Sequence, residues 1–272
     1  MKNFFKIGVF LLVGSALLSC DKALISTEPY SDCKQNVISN ENAKLKSEPI
    51  SGRTLTDTQI DSIAILHNLF LSQVVSNFEF NSNNYLDEMY YKFESIGLEN
   101  FQISKNEIEV FLNSCNNDNY NYIKSNSENP KIIYIIDDLV QNIESNPDIT
   151  FNEVHKQVSI KTKFAENNLR GVEQEMALVF LKTFEKSSYF WMPAIKGGSG
   201  VGSNFIDKVE DKTGLEVNWG RIAAADGAGA AGVLLRTWYL AAFGPMSWGT
   251  IVGAIGWGAA WASGYALLTQ LM

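Results

Sequence analysis

The central region of this chain contains few side chains suited to nucleophilic or acid–base catalysis. A Cys115–His67 pair would supply a thiol and a base, which a cysteine nucleophile requires. Nothing in the neighbouring sequence supports that pair, and His67 lies one helical turn from Ile63 and Phe70 on an apolar face. We therefore expect His67 to be a hydrogen-bonded core histidine, and His155, on a polar helix, to be exposed.

Neighbouring carboxylates are the second group that could perform acid–base chemistry. Asp137 with Asp138, and Glu173 with Glu175, are more typical of solvated helix faces than of catalytic pairs. The sequence contains no P-loop, HExxH, GxSxG or CxxC motif. The glycine-rich segment 196–203 follows no strand and lacks the Lys-Ser/Thr ending of a phosphate loop. We therefore predict no enzymatic activity and no cofactor.

The charge balance argues against nucleic acid as a partner. The chain has 272 residues and a net charge of -8, with 22 Lys plus Arg against 30 Asp plus Glu. Nucleic-acid binding proteins present a basic surface instead. Two histidines and three cysteines leave little material for a metal site, so we predict none. The acidic residues are concentrated in 20–213, between two apolar ends.

The amino-terminal end has the pattern of an export signal. Lys2 and Lys6 precede an apolar run that is too short to span a bilayer comfortably, so 1–19 is predicted to be a signal peptide. The run ends in Leu17-Leu18-Ser19-Cys20, which resembles the lipobox of bacterial lipoproteins. That resemblance implies cleavage before Cys20, a diacylglycerol on its thiol and acylation of the new amino terminus. Several acyl chains together give stable membrane attachment.

The predicted location is the bacterial cell envelope, with the protein attached through its lipid. Asp21 follows the lipidated cysteine; in one sorting rule it retains lipoproteins at the inner membrane, while other lineages use acidic residues there for surface export. We favour the outer membrane or the cell surface. In an exported protein Cys33 and Cys115 could form one disulfide, or remain an exposed thiol and a small apolar residue.

Helical periodicity dominates the chain after a polar segment. Residues 20–54 are predicted to be a flexible lipidated tether, and 55–192 an α-helical domain. Capping boxes begin three of its helices, at Thr56, Ser104 and Thr150. The remaining predicted helices run from Leu86 to Ile96, follow Pro130, and contain the apolar stripe 172–184. No strand-like alternation competes, so the predicted fold is an all-α helical bundle.

A change of composition follows the aromatic cluster 187–191, which is predicted to be a packing anchor at a helix end. Residues 193–213 are predicted to be a Gly-rich linker, and 214–272 a Gly/Ala/Trp-rich helical hairpin divided at Gly244-Pro245. Glycine is costly inside a helix, so close helix packing or a loop must explain it. Gly249 and Gly253 form a GxxxG pair, which favours close helix contact.

Three interpretations of this hairpin are open. It packs against the helical domain or in an oligomer, it inserts into or lies on a membrane, or it is a disordered tail. The uncharged run Met246–Met272 is long enough to cross a bilayer, but Asp226 and Arg236 would be costly in the first arm.

The tract resembles the glycine zippers of membrane-active bacteriocins and of some bacterial toxin and envelope proteins. That resemblance implies helix pairing through Gly249 and Gly253. The predicted function is therefore a non-enzymatic envelope interaction or structural module, with a protein partner or self-association through the hairpin. The alternative is a membrane-inserting, pore-forming or immunity-type factor.

Overall fold

A computed structural model describes residues 55–79, 129–146, 148–241 and 248–271, together with Glu88, Tyr91, Lys92, Ser95 and Ile123. Side chains at 236–241, 248–250 and 268 are outside this description. Within these ranges the chain forms α-helices and no strand, which confirms the predicted all-α bundle. Seven α-helices lie within these ranges: α1 Asp57–Ser76, α2 Pro130–Glu144, α3 Phe151–Asn168, α4 Gly171–Trp191, α5 Val201–Thr213, α6 Trp219–Ala241 and α7 Trp248–Gln270.

The helix starts follow the local sequence signals. Thr56 caps α1 and Thr150 caps α3, each in a reciprocal capping box with the third helical residue. Pro130 occupies the first position of α2, where its missing N–H costs nothing. The predicted helices at 86–96 and after Ser104 lie outside the described ranges, apart from single residues.

Four helices form the centre of the bundle. α6 packs against both α4 and α7, α7 packs against α1, and α1 packs against α4, so the four close into a ring. The other helices lie outside this ring: α3 on α4, α2 on α3 and α6, and α5 on α4 and α1. The carboxyl-terminal hairpin therefore supplies two of the four central helices.

The hairpin is buried on all faces along part of each arm. Residues 226–235 of α6 and 255–264 of α7 are buried without interruption. One hydrophobic core contains Phe180 of α4, Val233 of α6 and Ile255 of α7. Of the three interpretations open from sequence, the structure has the hairpin packed against the helical domain.

The segment predicted as a flexible linker differs from expectation. Residues 201–213 form α5, whose buried Phe205, Ile206 and Val209 recur at helical spacing. The preceding turn is tightly built, since a Cβ on Gly198 would lie 2.1 Å from the Met192 carbonyl oxygen. The glycines at this point allow close backbone contact. Because they made the segment resemble a linker, the apolar stripe that follows them was not recognised as a helix.

Candidate functional site

A buried polar cluster lies where the four central helices meet. Each of these helices supplies at least one side chain to it. We call it the Asp226 centre, and its members are His67 of α1, Ser187 and Trp191 of α4, Asp226 of α6 and Ser263 of α7. Trp191 is 2% exposed, and the other four residues are 0% exposed.

The Asp226 carboxylate is surrounded by hydrogen-bond donors. The Ser187 hydroxyl donates to Oδ2 and the Ser263 hydroxyl donates to Oδ1. The Trp191 indole N–H donates to Oδ2 over 3.3 Å, and His67 Nε2 lies 3.1 Å from the same oxygen. A buried carboxylate is costly unless it is paired and hydrogen-bonded, and here both oxygens have partners.

The orientation of the His67 ring is set by its neighbour Asn68. The Asn68 amide nitrogen donates to the Lys186 carbonyl over 2.9 Å, so its oxygen faces His67 Nδ1 at 2.8 Å. Because that oxygen can only accept, Nδ1 carries a hydrogen. His67 Nε2 then faces the Asp226 carboxyl group.

Spacing along each helix brings these residues together. Ser187 and Trp191 are four apart and lie on one face of α4. Gly256 and Ser263 are seven apart on α7, and a Cβ on Gly256 would lie 3.0 Å from the Ile63 carbonyl oxygen of α1. The glycine thus lets α7 approach the α1 backbone closely, two turns from the serine that reaches the centre.

A second close approach lies beside Asp226 itself. A Cβ on Gly227 would meet Phe180 ring and carbonyl atoms of α4 at 3.0 Å. On the other side of α6, a Cβ on Gly229 would lie 2.6 Å from the Ala262 Cβ of α7. Small residues therefore bring α6 near both helices that donate hydroxyl groups to its carboxylate.

The geometry differs from that of a serine–histidine–carboxylate triad. In a triad the hydroxyl and the carboxylate contact opposite nitrogens of the imidazole ring. Here Ser263 Oγ, at 3.5 Å, and the Asp226 carboxylate, at 3.1 Å, both face Nε2 of His67. The serine hydroxyl is directed to the carboxylate, so the histidine is not placed to remove its proton. This arrangement neutralises a buried carboxylate and joins four helices.

Both histidines lie where the sequence predicts. His67 is buried and hydrogen-bonded in the core, and the side chain of His155 is 63% exposed. The exposed ring contacts the Glu185 carboxylate of α4 through Nδ1. The aromatic cluster at the end of α4 also packs as predicted, with Phe190 and Trp191 buried in edge-to-face contact.

The carboxylates are only partly as expected. Glu175 is fully buried and accepts the Leu55 backbone N–H over 2.8 Å, so its prediction as a solvated residue is wrong. Glu175 belongs to α4, but it lies beside the start of α1, and this contact buries it despite the charged residues next to it in the sequence. Asp138 pairs with Lys161 at 2.5 Å, and partial burial raises the pKa of Asp137.

The remaining predicted sites are left untested. Cys20, Cys33 and Cys115 lie outside the described residues, so lipidation and the disulfide stay predictions. Gly253 is buried, while only the backbone of Gly249 is described. Their proposed pairing therefore also stays a prediction.

The described residues contain no group of three or more His, Cys, Asp or Glu side chains suited to a metal ion. Among their helices, none combines the length and apolar character that crossing a bilayer requires.

Sequence reasoning missed the centre because its members are scattered over the chain. In the sequence, Asp226 stands out only as a cost to membrane insertion, and Ser187 only as part of an aromatic cluster. A usable signal did exist: Asp226 is the only acidic residue of α6, and it lies in a Gly/Ala tract. A lone acid in such a tract needs a buried partner, and His67 on an apolar face was the obvious one.

The comparisons with known proteins identify no relative. No protein-family model, curated protein or solved structure matches this chain.

Proposed function

We propose that this protein is a lipid-anchored component of the bacterial cell envelope that acts as a non-enzymatic interaction or structural module. Cys20 carries the lipid, and the helical bundle, at the end of its tether, engages a protein partner or a second copy of itself. The outer membrane or the cell surface is the favoured location.

The observation that carries this proposal is the position of the hairpin. α6 and α7 are two of the four central helices, and ten consecutive residues in each are buried within the protein. A hairpin used in this way has its apolar surface already covered. Membrane attachment then depends on the lipid at Cys20.

The Asp226 centre supports the non-enzymatic part of the proposal. It contains the residue types of a catalytic triad, but His67, Asp226 and Ser263 are fully buried. Ser263 and Asp226 both face Nε2 of the His67 ring, whereas in a triad they would contact its two different nitrogens. A substrate would have to separate the central helices to reach them.

Carbonate extraction of a Cys20→Ala chain, exported with a conventional cleavable signal, tests the membrane attachment. We expect the lipidated chain to pellet with membranes and the variant to be released as a soluble, monodisperse protein. Incorporation of a palmitate analogue into the wild type, and not into the variant, provides the matched chemical readout. A variant that resists carbonate would overturn the proposal and favour attachment through the hairpin.

A second candidate function is insertion of the hairpin into a bilayer. One observation favours it: α7 has no charged residue over Trp248–Gln270. This candidate predicts dye leakage from phospholipid vesicles, reduced by Gly253→Leu through loss of helix pairing. Ala254→Leu, at a half-buried position one residue away, is the size-matched control. Absence of leakage by the wild-type chain rejects it.

A further inference from the structure

The fully buried stretches of the two hairpin arms have no polar face that could set their rotation in the bundle. Residues 226–235 and 255–264 are each buried over ten consecutive positions, almost three turns. A helix that is apolar all round is buried, but its pattern does not specify which side faces which neighbour. Amphipathicity therefore leaves the rotation and register of α6 and α7 undetermined in these stretches.

Side-chain shape adds little discrimination along the same stretches. Residues 226–235 read DGAGAAGVLL and 255–264 read IGWGAAWASG, so most positions are Gly or Ala. Surfaces of such small residues allow close approach at several neighbouring registers. Large interlocking side chains, which usually select one packing, are few.

One carboxylate and one hydroxyl side chain lie in these stretches, and both belong to the Asp226 centre. Asp226 begins the buried run of α6, and Ser263 lies near the end of the run of α7. Their side chains bond to each other, and Asp226 also contacts His67 of α1 and two residues of α4. Sliding or rotating either arm would separate a buried charge from its partners, at a cost that apolar contacts cannot replace.

We propose that the Asp226 centre is the register-determining device of the bundle. It selects one arrangement of the hairpin against α1 and α4 from several that Gly/Ala packing alone would allow. Its main contribution is to structural uniqueness and not to net stability, because a well-packed apolar replacement of a buried ion pair is often neutral or stabilising. This role is independent of the membrane attachment.

The decisive variant replaces the whole centre with apolar side chains of similar total volume. The five substitutions are His67→Leu, Ser187→Ala, Trp191→Phe, Asp226→Val and Ser263→Ala. The matched control replaces the pair on the other side of α4, in which His155 is exposed and Glu185 is buried, with His155→Leu and Glu185→Val. Both are made in the full chain carrying Cys20→Ala, so that lipid does not complicate solution measurements.

We expect the apolar variant to remain helical, with a urea midpoint equal to or above that of its parent. Its amides in 226–235 and 255–264 should exchange at least about tenfold faster than in the parent, relative to those of α3. Their resonances should broaden or multiply as registers interconvert. The control should show the parental exchange pattern.

The proposal is overturned if the apolar variant gives one sharp set of resonances with parental protection in both hairpin arms. If that variant does not fold, Asp226→Asn decides, since it removes the charge whose separation from its partners makes other registers costly. Selective loss of protection in both arms of the Asn variant supports the proposal. Parental protection of both arms there overturns it, because the charge would then not select the register.

Discussion

Two histidine–carboxylate pairs lie on opposite sides of α4 and differ mainly in their exposure to water. His67 and Asp226 are completely buried, and hydroxyl and indole donors complete the shell of the carboxylate. In the second pair the His155 side chain is 63% exposed and the Glu185 side chain 10% exposed. The histidine is therefore buried in one pair and largely exposed in the other, while the carboxylate is buried in the first and nearly so in the second.

The difference shows that the residue pair alone does not determine the energetic effect. In water, an ion pair contributes about 0–1 kcal/mol, because solvent screens it and competes for both partners. Inside the bundle, removing one partner exposes the other to a desolvation penalty of several kcal/mol. The His67–Asp226 pair is therefore expected to be intolerant of either single change. In the second pair the loss of His155 should be tolerated better, because its ring is largely in water.

The largest expected effect is that of Asp226→Ala. The substitution leaves His67 and three other polar groups buried without their acceptor, so the free energy of unfolding should fall by about 3–5 kcal/mol. Urea denaturation followed by circular dichroism, in the Cys20→Ala background, measures this loss. The surface control is Asp148→Ala, which removes the exposed partner of Lys196 and should change stability by less than about 0.5 kcal/mol. A loss below about 1 kcal/mol for the Asp226 variant would contradict the buried pairing.

Double-mutant cycles compare the two pairs directly. Alanine replacements of His67 and Asp226, singly and together, should give a coupling energy above about 1 kcal/mol, since the residues share one buried network. The cycle for His155 and Glu185 should give about 0–1 kcal/mol and decrease with added salt. Equal coupling energies in the two cycles would show that burial is not the deciding variable.

A smaller effect is expected from packing beside the buried centre. Gly229→Ala places a Cβ 2.6 Å from that of Ala262, so overpacking of about 1–3 kcal/mol should outweigh the roughly 1 kcal/mol gain in helix propensity. Thermal unfolding should show a lower midpoint. The same substitution at Gly253 tests the predicted GxxxG contact: a comparable loss supports it, and increased stability would argue against a close approach there.

The smallest expected effect is on the exposed side, at the start of α3. Hydrogen bonds from the Thr150 backbone N–H and hydroxyl hold the pKa of Glu153 below its ordinary range. The stabilisation is therefore present above the pKa of an unfolded glutamate, and it is lost as pH falls through the lower folded value.

An NMR titration of the Glu153 carboxyl group measures this effect. Thr150→Ala removes the hydroxyl donor and should raise that pKa part of the way towards its ordinary range. Glu153→Gln should make the decrease in stability from about pH 5 downward less steep. An unchanged titration in the alanine variant would mean that the backbone donor alone is responsible.

Much of the architecture could be predicted because helix signals are local. The reciprocal caps at Thr56 and Thr150 and the start of α2 at Pro130 are each specified within a few residues. Even the burial of His67 followed from the apolar residues one turn away. Predictions weakened where composition and periodicity disagreed, as in 201–213, where preceding glycines concealed an amphipathic helix.

The candidate site could not be predicted in the same way, because its contacts are distant in sequence. His67 and Asp226 are 159 positions apart, and their meeting depends on the order in which α1, α4, α6 and α7 surround the core. Glu175 shows the same limit. Its charge pattern resembles a solvated face, and only the contact with the Leu55 backbone N–H, 120 positions earlier in the chain, makes it a buried acceptor.

The amino-acid sequence alone specifies the helices, their caps and an apolar carboxyl-terminal hairpin, since these depend on hydrogen bonds and periodicity within a few turns. It also predicts the lipid at Cys20 from four adjacent residues. Only the tertiary structure decides that the hairpin is the centre of the bundle and that a lone aspartate is satisfied there. The reason is that burial and desolvation are properties of the neighbours a residue meets in space, which adjacent sequence does not encode.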